Sequence, residues 1–235
     1  MNVNLWGPSL WTVLHGLAAL QTRPADMEII LKGLCELLPC SLCQNSYCGF
    51  YKNLTNVKAI CESGEGPKLV WQIHNLVNDK LEGQRLEKFM LEIKATPAMR
   101  DKMVANAKML SNRPTFDVVM KRAALATTQL QYIHQDDIFR VLFAFVLNAG
   151  NESKKYEWIA KWIKALTNMY AVKALEHVYL PRSRKEAFAS LLLARDGIRV
   201  SASSFPRLAT QYREEIDRVY SLYVDELTAG SCRYN

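Results

Sequence analysis

The sequence predicts an all-α protein, and three observations carry that prediction. Apolar residues recur at helical spacing of three and four; nearly every such run is introduced by Pro, Ser or Thr; and nowhere does a strand-like alternation persist. Taken in order, Pro8-Ser9 introduces a stripe of Leu10, Trp11, Leu14, Leu17 and Ala18. Thr22 to Pro24 starts a second helix through Ile29, Ile30 and Leu34, ending near Leu38. Pro39 opens a third helix, with Cys40 and Cys43 in its first turn. Gly64 to Pro67 breaks the chain, and a fourth helix is expected from about Leu69 to Leu81. Further helix starts stand at Thr96-Pro97, Arg113-Pro114, Ser153 and Ser183. A soft boundary near Thr96 divides the chain into residues 1–95, where the cysteine and histidine motifs gather, and a helical part, 96–235.

The 235 residues, 49% hydrophobic and 23% charged, are enough to bury a sizeable core. The net charge of +7 is not concentrated in a Lys/Arg run, so no nucleic-acid partner is expected. Trp6, Gly7 and Pro8 interrupt what would be a signal sequence, and no stretch reaches the roughly 18 apolar residues of a membrane span. An intracellular protein without a transmembrane segment is expected, in which the sequons at Asn53 and Asn151 carry no glycan.

Six cysteines stand at 35, 40, 43, 48, 61 and 232. In an intracellular chain, such clustering points to metal or redox chemistry before a disulfide staple. Cys40-Ser41-Leu42-Cys43 places two thiols three residues apart at a helix start, where backbone N–H groups favour a thiolate. The same pair could be half of a zinc site, with ligands from Cys35, Cys48 or Cys61, or simply two buried small residues.

Two helix faces add information. Trp71, His74, Asn75, Asn78 and Leu81 share one face of the fourth helix, which presents an indole, an imidazole and two carboxamides where a core helix would be apolar. A flat heteroaromatic ligand with polar edges would suit them; a satisfied core histidine with two surface asparagines would also explain them. The first helix repeats the theme with Trp6, Trp11 and His15.

Together, Trp6-Gly7-Pro8-x-x-Trp11-x-x-x-His15, Cys40-x-x-Cys43 and Trp71-x-x-His74-Asn75-x-Val77-Asn78-x-x-Leu81 resemble the Erv/ALR family of FAD-dependent sulfhydryl oxidases over residues 4–90. The resemblance implies a four-helix bundle with a short fifth helix, binding FAD beside the Cys-x-x-Cys. It implies that Cys43 is the flavin-proximal thiol and Cys40 its partner, exchanging with incoming dithiols. Trp6, Trp11, His15, Trp71, His74, Asn75 and Asn78 would line FAD, with Lys80 near its phosphates. The implied reaction forms disulfides in protein dithiols, or in a thioredoxin-like relay protein, and reduces O2 to hydrogen peroxide. A homodimer is implied as well. Two family features are missing: the structural disulfide, since the segment Trp71-Gln72-Ile73-His74-Asn75 where its first cysteine would lie has none, and a second, shuttle cysteine pair. In these departures the chain looks more like the oxidases of large DNA viruses than the mitochondrial ones, with the host cytoplasm or nucleus and the virion as expected locations. The competing readings are a Cys/His zinc-binding interaction module and an inactive flavin-binding virion protein.

Residues 96–235 carry fewer signals. "VLFAFVL" at 141–147 is apolar all round and should be a buried helix or a dimer contact. Trp158, Trp162 and Leu166 form a stripe on a lysine-rich helix, expected to face a core or an interface before a membrane surface. His134 with Asp136 and Asp137 reads as a solvated helix start, and Arg182, Arg184 and Lys185 as a solvated face.

Overall fold

The computed structural model describes residues 2–20, 23–110, 133–170 and 172–229. The described residues form helices joined by short connections, with no strand among them. The all-α expectation holds.

In the first half, α1 (Val3–Leu20), α2 (Pro24–Leu37), α3 (Ser41–Lys52) and α5 (Gly66–Glu92) surround a shared interior, with the six-residue α4 (Val57–Glu62) between α3 and α5. The helix α1 packs on α5, α2 on α3 and α4, and α5 on both α3 and α4. The stripe foreseen for α1 is its buried face, with Leu10, Val13, Leu14 and Leu17 all inside.

The first helix begins five residues before Pro8, with Pro8 inside it. The start signal is Asn2, whose side-chain oxygen accepts from the Asn4 N–H at 3.1 Å. Pro8 lacks the N–H that would bond back to Asn4, and Asn4 and Pro8 are both exposed, so water can satisfy the carbonyl left over. The helix expected over 69–81 likewise runs further, from Gly66 through Gly83 to Glu92. Pro97, Ser153 and Ser183 mark helix starts as expected, at α6 (Pro97–Leu110), α8 (Ser153–Met169) and α9 (Arg184–Arg195). Pro114 lies outside the described residues.

The later helices do not stand apart. Helix α7 (Gln135–Ala149) packs on α1 and α8 packs on α2; α7 also meets α8 and α9, and α9 meets α10 (Phe205–Gln211) and α11 (Arg213–Thr228). The "VLFAFVL" segment is wholly buried in α7, and Trp162 and Leu166 of α8 are fully enclosed against α2. Specific bonds tie the layers. Ser9 donates to Asp137 at 2.6 Å, the Trp162 indole N–H donates to the Ile30 carbonyl at 3.0 Å, and Asn168 donates to Asp26 at 3.2 Å. One buried cluster therefore receives residues from both sides of position 95.

Candidate functional site

The site is built where α1, α3 and α5 meet. The turn Leu38-Pro39 ends α2, and Cys40 becomes the N-cap of α3, in extended conformation just outside the helix rather than within its first turn. Its sulfur accepts the Cys43 N–H at 3.3 Å, as a capping side chain does. An N–H directed at sulfur, at the positive end of a helix, stabilises negative charge there. Cys40 is almost fully enclosed, at 1% exposure, and Cys43 is half-buried.

Cys43 forms part of the wall of a cavity of about 110 Å³. The other walls are Trp6, Leu10, Trp11 and Leu14 of α1, Leu34 and Leu38 at the end of α2, Ser46, Tyr47 and Phe50 of α3, and Val77, Asn78, Lys80 and Leu81 of α5. The Trp6 indole N–H is buried and has no hydrogen-bond partner among the described residues. A buried donor of that kind calls for an acceptor, so this wall suits a ligand with polar atoms on an otherwise apolar ring. Lys80 donates to Ser46 and, at 3.5 Å, to the Leu42 carbonyl, which brings a cation to the rim near the start of α3.

Behind Trp11 lies a three-ring cluster. Trp11 and His74 stack with centroids 3.9 Å apart and planes 7° from parallel. His15 Nε2 and His74 Nδ1 are 3.0 Å apart, a hydrogen bond in which one ring donates and the other accepts. Both imidazoles are held below their usual range: His15 by burial, and His74 down to about 4 by burial first and then by His15. Both are therefore neutral at physiological pH.

The structure thus brings together Trp6, Trp11, Cys43, Asn78 and Lys80 around one cavity, and places His15 and His74 against its Trp11 wall. Trp71 and Asn75 are half-buried on α5 and are not among the cavity-lining residues. Sequence reasoning missed the apolar lining, Tyr47 above all. This residue is buried four positions after Cys43 and donates its hydroxyl to the Leu31 carbonyl at 2.9 Å, pinning α3 to α2. Its signal was available, since an aromatic one turn beyond Cys43 shares that face of the helix.

Among the described residues, no three His, Cys, Asp or Glu side chains converge as a metal site requires, and His134 with its neighbouring aspartates forms no such group. Asp137 is instead engaged by Ser9. No helix is long and apolar enough to cross a membrane. Comparison with protein-family models, curated proteins and solved structures finds no match to this chain.

Proposed function

We propose that the protein is an FAD-dependent sulfhydryl oxidase that forms disulfides in protein dithiols at the expense of O2. The observation that carries the reading is the half-buried Cys43 on the wall of a cavity lined by Trp6 and Trp11, where the buried Trp6 indole N–H has no hydrogen-bond partner among the described residues. The packing of α1, α2, α3 and α5 with the short α4 around a shared interior supports the reading. The residues present fit such a cofactor in chemistry: Trp6 offers a donor, Asn78 a carboxamide, Lys80 a cation, and Trp11 with His74 flat faces for stacking. In size the cavity, about 110 Å³, is below the roughly 300–1,000 Å³ usual for ligand clefts, so binding a dinucleotide requires its walls to open.

Bound FAD would accept two electrons from the cysteine pair and pass them to O2, giving hydrogen peroxide. The chain's own residues do the exchange. A substrate thiolate attacks one sulfur of the Cys40–Cys43 disulfide, and the other sulfur leaves as a thiolate. A second substrate thiol then displaces the mixed disulfide and leaves the pair as two thiols. The N–H of Cys43 and the start of α3 stabilise the negative charge this generates. Because Cys40 is enclosed, exchange at its sulfur requires the Pro39–Ser41 turn to move outward first.

A zinc module is the weaker reading, since its ligands do not converge among the described residues. The deciding measurement is oxygen uptake with dithiothreitol by the purified protein, together with its visible spectrum. The expected result is a yellow protein that consumes oxygen, with uptake abolished and flavin retained in Cys43→Ser. A colourless wild-type protein that takes up no oxygen when supplied with FAD would refute the reading; a yellow one whose Cys43→Ser variant keeps full uptake would remove Cys43 from the mechanism.

A further inference from the structure

A second pair of cysteines lies between α2 and α3, and the thiol-oxidase reading makes no use of it. Cys35 sits in the last turn of α2, where its carbonyl would ordinarily accept the N–H of the residue four positions on. That residue is Pro39, which has none. Two groups from α3 take its place: the Gln44 side-chain N–H at 2.7 Å and the Cys48 thiol at 3.5 Å. This arrangement draws the Cys48 sulfur onto the end of α2, within 3.5 Å of the backbone oxygen of Cys35 itself. Both are free thiols and both are half-buried. The packing of α2 on α3, fixed nearby by Tyr47 and Leu31, holds the two cysteine residues side by side.

We propose that Cys35 and Cys48 are a disulfide-forming pair that covalently joins the end of α2 to α3, enclosing the Cys40-Ser41-Leu42-Cys43 segment in the closed loop. The oxidant is a low-molecular-weight disulfide. Cys48, as thiolate, attacks one of its sulfurs and releases one small thiol, leaving a mixed disulfide on Cys48. Cys35 then loses its proton and displaces the second small thiol, forming the Cys35–Cys48 bond. Two protein thiols are oxidised and one small disulfide is reduced to two thiols. Burial, followed by the neighbouring Cys48, pushes the Cys35 thiol up to about 12, so Cys48 makes the first attack and Cys35 the slower, resolving one. Cross-linking removes freedom from the unfolded chain and should raise the thermal midpoint by about 5 °C or more.

The step needs neither flavin nor the Cys40–Cys43 pair, so it stands or falls independently of the proposed oxidase activity. The test treats the full-length Cys40→Ser/Cys43→Ser protein, folded, with oxidised glutathione, and blocks remaining thiols with N-ethylmaleimide. Cleavage after Glu36 and after Tyr47 then separates Cys35 from Cys48. The expected product is a peptide containing Cys35 covalently linked to one beginning at Cys48, lighter by two hydrogens than the sum of the pair. The same digestion applied to wild type distinguishes this link from a Cys40–Cys43 bond, should the double variant fail to fold. A Cys48→Ser variant keeps a hydroxyl donor for the Cys35 carbonyl, so it separates capping from cross-linking: it should show no glutathione-dependent rise in thermal midpoint. Alkylation or separate glutathionylation of both residues, a link from Cys35 to Cys61 instead, or an equal rise in Cys48→Ser would overturn the proposal.

Discussion

His15 and His74 share one proton in the bond between them, and that makes the pair sensitive to acid. If the accepting nitrogen becomes protonated, two N–H groups face each other at 3.0 Å. Both pKa values are depressed in the folded protein, His74 to about 4, whereas an unfolded chain would protonate its histidines near 6.5. The unfolded state therefore binds more protons as the pH falls. The stability contributed by keeping the rings neutral is complete above about pH 6.5 and is lost progressively toward pH 4. His74→Gln keeps a hydrogen-bonding side chain and removes one titrating group. Urea midpoints at pH 7.5 and 4.5 should thus fall further in wild type than in the variant; equal falls would show that the pair does not couple to folding. At this scale the sequence was informative about identity but not about pairing. Trp11, His15 and His74 could be singled out because they interrupt apolar faces. That Trp11 stacks on His74, or that the Trp6 N–H finds no partner among the described residues, depends on how α1 meets its neighbours, and contacts between distant segments leave no periodicity to read.

Helices α2 and α8 approach closely because α2 offers no side chain at Gly33. A Cβ there would lie 3.0 Å from Cδ1 of Trp162 and 3.4 Å from Cε3 of Trp158. The Trp162 ring cannot yield easily, since it is fully enclosed and its N–H is committed to Ile30 of α2. Gly33→Val should therefore destabilise the protein by about 1–3 kcal/mol through overpacking, read as a lower urea midpoint with the helical circular-dichroism signal retained below it. An unchanged midpoint would mean that the two helices can separate without cost. Gly83 makes the contrast. A side chain there would meet nothing within 4 Å, so this glycine neither permits a close approach nor ends α5. Its helix cost of about 1 kcal/mol is outweighed by the strong helix formers that follow, Gln84 to Lys88. The motif-bearing face ends at Leu81, which is why the sequence reading stopped the helix there, while proline as a start signal located α2, α6 and the turn before α3.

The core takes no account of the boundary that motif density suggests near residue 95. The packing of α1 on α7 and of α2 on α8 buries apolar faces contributed by both halves, and Lys154 adds an ion pair with Glu36 at 2.9 Å on the surface. The N-terminal end of α1 is also tied to the far end of the chain, since the Asn2 N–H donates to the Leu227 carbonyl at 3.0 Å. A sequence cannot show this: a stripe such as Trp158, Trp162 and Leu166 announces a buried face, but not which helix covers it. The covering has a consequence for the candidate site, because α1 and α2 present one side to α7 and α8 and supply cavity walls from other positions. Asn148, near the end of α7, donates to the Leu38 carbonyl at 3.5 Å, directly before the Pro39–Cys40 turn. A fragment of residues 1–95 would keep every residue singled out for cofactor binding and would lose this support. It should therefore bind the hydrophobic dye ANS strongly and unfold with little cooperativity, and it should hold added FAD far more weakly than the full chain. Adding residues 96–235 as a separate polypeptide should restore part of the cooperative transition. A fragment 1–95 that unfolds cooperatively at the same urea concentration as the full chain would establish that the first half folds independently, with the later helices dispensable to its cavity.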